Sequence, residues 1–264
     1  MPAIAVRNVT QNYGAPGDVR RVVALENISF AVERGEFVTL LGPSGCGKST
    51  LLNIIGGLVQ PTQGAVLVDG SPVSKPMPEH VAYVFQESTL FPWYTVEENF
   101  AILFRYRDVA RSGWKSRTAE ALAAVGMQAF AAHYPKQLSV GMRQRINLAR
   151  GIAAGTDILL MDEPFAALDE QSRMVLGEDL SALLSRTGKT ILFVTHSIAE
   201  AVFLSDRIFV MSSRPGRIKS AIAVDETHPR PPSFMLQPRF ADLRNQCYSL
   251  LRDEIRSAMA EASA

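Results

Sequence analysis

The stretch "GPSGCGKST", Gly42 to Thr50, restricts this chain more than any other. An apolar run, "EFVTLLG", leads into it. "KSTLLNIIGGL", with helical periodicity, leads out of it and closes on Gly56-Gly57 and Pro61. The spacing G-x-x-x-x-G-K-[ST] between a strand and a helix is that of a phosphate-binding loop. Glycine lets backbone N–H groups turn inward around phosphate oxygens, and the helix start adds partial positive charge. The cradle is expected from Gly42, Pro43, Ser44, Gly45, Cys46 and Gly47. Lys48 is placed to neutralise β- and γ-phosphates, Ser49 to ligate Mg²⁺, and Thr50 to reach a further phosphate. The bland alternative is a glycine turn with a chance Gly-Lys-Ser, and the strand and helix on either side outweigh it. Cys46 reads as a small residue that fits the loop, without redox work.

A second apolar run, "ILLMDEP", ends in two adjacent acids, Asp162 and Glu163. A carboxylate at the C-terminal end of a strand next to a phosphate loop is where Mg²⁺ finds a ligand, and Asp162 is assigned that role. Strand alternation then directs Glu163 elsewhere, toward the γ-phosphate, to orient and deprotonate water. Alone, such a pair reads equally well as a solvent-facing strand end.

The first third, with "AIAVRNV", "VVALENISFAV" and "EFVTLLG", reads as strands, and "GAVLVDG" and "HVAYVFQ" follow as shorter ones. Residues 95–133 read as helices, the clearest being "TAEALAAVGMQAFAAH". Residues 157–163, 190–196 and 207–213 are apolar runs too short for helices, separated by helical segments, which predicts a buried parallel sheet. After Asp225, "HPRPPSF" reads as a proline-rich connector and "RFADLRNQCYSLLRDEIRSAMAEA" as a helix. A formal charge of +1 leaves no global field to draw the chain onto nucleic acid or an anionic membrane. Arg143, Arg145 and Arg150 read as a solvated helix face. Cys46 and Cys247 lie far apart, which argues against a disulfide framework and for a reducing compartment. No signal-peptide pattern and no membrane-spanning run is expected.

With "GPSGCGKST", "VFQE", "LSVGMRQR", "LLMDEPFAALD" and "FVTHS" in that order, nearly the whole chain resembles the ATP-binding subunits of ABC transporters. The resemblance implies an α/β P-loop NTPase: a RecA-like core with an antiparallel β-subdomain and a helical subdomain at about 88–152. The ATPase domain is expected over 1–225, with connector and tail over 226–264. It further implies ATP and Mg²⁺, and head-to-tail homodimers that sandwich ATP between one phosphate loop and the partner's signature motif. Gln86 matches the glutamine near Mg²⁺ and the attacking water, and His196 the histidine that reaches the γ-phosphate. Asp169 matches the aspartate that crosses the dimer, although it also reads as an ordinary helix cap. Tyr13 corresponds to the aromatic on which adenine stacks, and "APGDVRR" after it to a hairpin extension.

"ESTLFPWYTVEEN" falls where the family places its groove for integral-membrane permease subunits, and its aromatic, proline-fixed knot is an interaction patch if exposed. Its "PW", together with "SSRPGRI", resembles nitrate, sulfonate and taurine importers in particular. That implies a peripheral subunit at the cytoplasmic face of the inner membrane, coupled indirectly to a solute-binding protein, with no nucleic-acid partner. The alternatives are a non-transport ABC ATPase of DNA repair or ribosomes, and a regulatory module that holds ATP without turnover. The first lacks its usual coiled-coil insertion or second ATPase unit. Against the second, Glu163 and His196 fill both hydrolytic positions.

The signature stretch "LSVGM" departs from the family form L-S-G-G-Q at Val140 and Met142. Read as a helix start, Ser139 is the N-cap and Val140, Gly141 and Met142 are the first three helical residues. The first of these needs only ordinary helical dihedrals, so Val costs roughly 0.5 kcal/mol of propensity there. Gly141 stands where a side chain would most obstruct a phosphate, and Ser139 keeps its hydroxyl. Met142 cannot close a capping box. The expectation is a somewhat weaker helix start with an intact anion site.

Overall fold

Two sheets share the strands of the chain. The computed structural model describes residues 1–14 and 21–262, so the body of the "APGDVRR" extension lies outside the described residues. In chain order the elements begin β1 (Ile4–Tyr13), β2 (Val22–Val32), β3 (Phe37–Leu41), α1 (Lys48–Ile55), β4 (Gln63–Val68), β5 (Ser71–Pro72) and β6 (Val81–Val84). They continue α2 (Val96–Tyr106), α3 (Trp114–Ala123), α4 (Val140–Ala153), β7 (Ile158–Asp162), α5 (Glu170–Thr187) and β8 (Thr190–Thr195). Last come α6 (Ile198–Leu204), β9 (Arg207–Met211), β10 (Ile218–Ala223) and α7 (Pro238–Ala262).

The smaller sheet is antiparallel, in the order β2-β1-β4-β5. β1 buries Ile4 and Val6, then Val9 and Gln11, so its alternation slips by one residue at Asn8. Asn8 and Asn27 take φ of 50° and 51° at this irregularity, the left-handed region that asparagine tolerates best after glycine. The Ser29 hydroxyl donates to Asn8 Oδ1 and accepts from Asn8 N, which holds the kink closed.

The larger sheet runs β10-β9-β3-β8-β7-β6, parallel from β9 to β6 with β10 antiparallel at the edge. β3, β7 and β8 are buried along their whole length, which accounts for their uninterrupted apolar runs. Alternate residues feed two cores. Ile158, Leu160, Leu192 and Val194 pack with β1, β2 and α1, whereas Leu159, Met161, Ile191 and Phe193 pack with the helices. Because Leu41 pairs with Thr195 and Val194 with Asp162, these strands end side by side. Residues 42–48, Glu163 and His196 therefore leave the sheet at one edge.

Thr95 and Glu98 cap α2 with a reciprocal box. The long Ala-rich helix ends sooner than the sequence suggests. α3 stops at Ala123, because Gly126 turns to φ 68° and a short 3₁₀ segment follows. Two of the three arginines of α4, Arg143 and Arg150, are not a solvated face either. Arg150 donates to the Thr89 carbonyl at 2.9 Å and to Asn147 Oδ1 at 3.2 Å, and burial pulls its pKa down to about 10. Arg143 donates to the Leu138 carbonyl at 2.6 Å and so holds the start of its own helix.

The proline-rich connector packs into the same body. Phe234, Phe240, Leu243, Cys247 and Leu251 join the helical-side core, and both cysteines are free. Arg230 is 2% exposed and donates to the carbonyls of Val202, Phe203, Val224 and Glu226.

Candidate functional site

The phosphate loop starts where β3 stops. Gly45 and Gly47 take φ of 78° and 100°. A Cβ on Gly47 would stand 2.7 Å from Leu25 Cδ2 and 2.9 Å from the Ala24 carbonyl, so the position admits only glycine. No side chain caps α1, which leaves its first N–H groups to an anion. Lys48 is 5% exposed, and its ammonium donates to the carbonyls of Gly42 at 2.8 Å and Pro43 at 2.9 Å. Cys46 is buried beneath the loop, and burial pushes its thiol up, away from thiolate chemistry.

Ser49 Oγ donates to Asp162 Oδ1 at 3.0 Å, joining the loop to the end of β7. Burial pushes the Asp162 carboxyl up and the Ser49 bond opposes that shift. Asp162 and Ser49 are hard oxygen donors, and Gln86, just beyond β6, shares a cavity wall with Ser49. Such a set suits Mg²⁺, which takes few protein oxygens and keeps phosphate and water ligands. Among the described residues, no three His, Cys, Asp or Glu side chains gather as a dedicated metal cage.

Glu163 is not directed by strand alternation. β7 ends at Asp162, and Glu163 turns the chain at φ 43° while its N–H still donates to the Val194 carbonyl at 3.0 Å. A non-glycine residue held in this region is strained and stays there only because its surroundings fix it. The turn carries its Oε2 to 3.1 Å from His196 Nδ1. A carboxylate beside an imidazole can accept a proton from water while the ring fixes its orientation.

A cavity of about 340 Å³ is walled by Ser49 and Glu163, while Asp162 and His196 stand behind that wall, bonded to Ser49 and Glu163 respectively. Tyr13, Val22 and Ala24 line it together with Ser44, Gly45, Gly47, Lys48, Ser49, Thr50, Gln86 and Glu163. Tyr13 is half-exposed at the end of β1. Arg214 also lines it and was missed from the sequence, where "SSRPGRI" served only as a mark of kinship. Ser139, Gly141 and Asp169 are not among the lining residues.

Those three belong to other surfaces. Ser139, with φ −63° and ψ 164°, caps α4 by accepting from Met142 N at 3.2 Å. Val140 is 58% exposed in the first helical position. A Cβ on Gly141 would come within 3.0 Å of Leu168 Cδ2, so packing as well as access favours glycine there. Met142 returns no bond, so the cap stays single. Asp169 caps α5, accepting from Ser172 N and Ser172 Oγ at 2.8 Å each, and those donors hold its carboxyl below the usual range.

The profile of the ABC transporter family matches residues 25–166. The taurine import ATP-binding protein TauB of Rhizobium johnstonii is 41% identical over 247 residues, covering 90% of this chain and 94% of that protein. The aliphatic sulfonates import ATP-binding protein SsuB of Bacillus cereus is 44% identical over 211 residues, covering 80% and 82%. Among solved structures, the ATP-binding cassette MJ0796, in a dimeric post-hydrolysis state bound to ADP and Pi, superposes with a TM-score of 0.75. It is 32% identical and covers 85% of this chain and all of its own.

Proposed function

The chain belongs to the ABC transporter family of ATP-binding proteins, and from that premise we propose that it powers import of a small anion of the taurine or sulfonate kind. The observation that carries the reading is that Ser49, bonded to Asp162, and Glu163, bonded to His196, line one cavity with Lys48. Lys48 and the loop N–H groups bind the β- and γ-phosphates, and Tyr13 stacks on adenine. Ser49, Asp162 and Gln86 would hold Mg²⁺, which would supply Lewis-acid stabilisation of the phosphoryl oxygens. Glu163 takes the proton of the attacking water, and His196 fixes Glu163 and reaches the γ-phosphate.

Ser139 and Gly141 lie outside the cavity of their own chain, which supports a head-to-tail homodimer in which each copy's signature closes the other's site. Val140 should be permissive. Val140→Gly in the assembled transporter is expected to change ATP turnover by less than about threefold, since only helix propensity and a single cap are touched. A many-hundredfold rise in turnover would mean that Val140 had crippled the site.

Integral-membrane permease subunits are the proposed partners, at the cytoplasmic face of the inner membrane. No described helix is long and apolar enough to cross a membrane itself. Phe91, Trp93 and Tyr94 form an exposed cluster beside a groove of about 500 Å³ that includes Phe85 and Tyr106. Trp93, 66% exposed, is the natural anchor. Trp93→Ala should reduce permease recovered on the purified subunit by about tenfold; undiminished recovery would place the interface elsewhere. The importer reading itself is tested with this chain, its permease and its solute-binding protein in proteoliposomes. ATP-driven uptake of taurine or an alkanesulfonate is expected. ATP hydrolysis without uptake of either would leave an ATPase and remove the proposed cargo.

A further inference from the structure

The loop between β9 and β10 is built against the nucleotide cavity and tied to the C-terminal helix. Ser212 closes it: its N–H donates to the Arg217 carbonyl, its hydroxyl donates to the Pro215 carbonyl at 2.9 Å, and that hydroxyl accepts from Arg217 N. Gly216 stitches it to β2, donating to the Ala24 carbonyl and accepting from Glu26 N, both at 3.0 Å. A Cβ on Gly216 would run into the Cys46 carbonyl, so the loop lies flush against the outside of the phosphate loop. Arg214 then extends over it, with Nη2 3.4 Å from the Gly45 carbonyl.

Lys48 and Arg214 are the two cations among the described residues lining that cavity. Two of the Lys48 donors already serve backbone carbonyls. Among the described residues Arg214 has the Gly45 carbonyl as its one hydrogen-bond partner and no carboxylate within ion-pair distance. An exposed guanidinium with open donors at the lip of a phosphate loop is matched to an anion with several oxygens.

What fixes Arg214 is the residue before it. Ser213 donates from both N–H and hydroxyl to Glu254 Oε2, at 2.8 and 3.0 Å. Glu254 lies on α7, forty-one residues along the chain, and its other oxygen accepts from Lys219 Nζ at 2.8 Å. The C-terminal helix thus holds the backbone from which Arg214 projects.

We propose that Arg214 binds the polyphosphate of the nucleotide in its own chain's site and that Glu254 is its positioning residue, so that the C-terminal helix sets nucleotide affinity. This rests on the nucleotide-site reading given above. Calorimetric titration of the full chain with ADP tests it, with adenosine as the phosphate-free control. Arg214→Ala should weaken ADP by about tenfold, leave adenosine unchanged, and be partly rescued by Arg214→Lys. Glu254→Gln should weaken ADP by about threefold, and Ser213→Ala, which removes the hydroxyl half of the same link and keeps its N–H bond, by less in the same direction. Combined with Arg214→Ala, Glu254→Gln should have no further effect, because a positioning residue acts only through what it positions.

ADP binding within twofold of the parent in Arg214→Ala would overturn the contact. Equal weakening by Glu254→Gln in both backgrounds would overturn the positioning role and leave Glu254 a structural fastener. A parent chain that binds no ADP would remove the nucleotide site, and this inference with it.

Discussion

Glu163→Gln protein should bind ATP, accumulate as an ATP-bound dimer, and hydrolyse at least about a hundredfold more slowly than the parent. The magnitude is that of removing a positioned general base, about 10²–10⁴ in rate. The substitution is clean for a structural reason. Gln has the reach and volume of Glu, and its amide can keep the 3.1 Å contact with His196 Nδ1 through a change of imidazole tautomer. The backbone there already sits at φ 43°, a strain that Gln bears much as Glu does, so the turn beyond β7 should not refold. Single-turnover phosphate release gives the rate, and light scattering in the presence of ATP gives the dimer. A variant that stays monomeric in ATP and releases phosphate at the parent rate would falsify the assignment of Glu163 as the base.

The second large effect lies far from the chemistry. Arg230→Ala should destabilise the folded chain by about 3–5 kcal/mol, the range found when one member of a buried charged network is removed. The Arg230 side chain is fully buried, and burial lowers its pKa to about 10, so it remains charged at neutral pH. It donates to the carbonyls of Val202 at 3.0 Å and Phe203 at 2.9 Å, which belong to the last turn of α6 and have no intrahelical partner to accept from. Two more donors close on Glu226 and Val224 of its own approach, and Asp206 stands 4.0 Å away. Truncation would leave these oxygens facing apolar side chains, each a desolvated acceptor worth about 1–3 kcal/mol. For a chain of this size the melting temperature should fall by roughly 10 °C. A fall of under about 2 °C would mean that the carbonyls find other donors and that the connector is only loosely joined to the body.

These two residues mark what was and was not legible beforehand. The phosphate loop, the strand-end acids and the Ser139 cap follow from spacing over a few residues, where backbone geometry is dictated locally. The cap was read with Val140, Gly141 and Met142 in the positions they occupy. Glu163 does face the cavity of the phosphate loop, but a left-handed turn one residue beyond the end of β7 brings it there, where strand alternation no longer applies. Arg143 and Arg150 were misread as solvated because their partners, from Thr89 to Leu138, are supplied by folding rather than by neighbours on the helix. The same holds for Arg230: "HPRPPSF" gives composition only, and two of the carbonyls that accept from it, those of Val202 and Phe203, lie more than twenty residues back. The Ala-rich run was credited with too long a helix, since propensity summed over many alanines hid the one glycine that ends it.

The pair of bonds from Lys48 to the Gly42 and Pro43 carbonyls makes the phosphate loop a small ring fastened by its own ammonium. The cation proposed to draw in the phosphate is also the clasp that gives the ring its shape. Exchanging Lys48 for a neutral side chain of equal length would therefore remove charge and curvature together, and the loss of affinity would overstate the electrostatic part. The Coulombic share is better measured by titrating salt against the intact loop, whose partly buried clasp is screened far less than the approaching nucleotide.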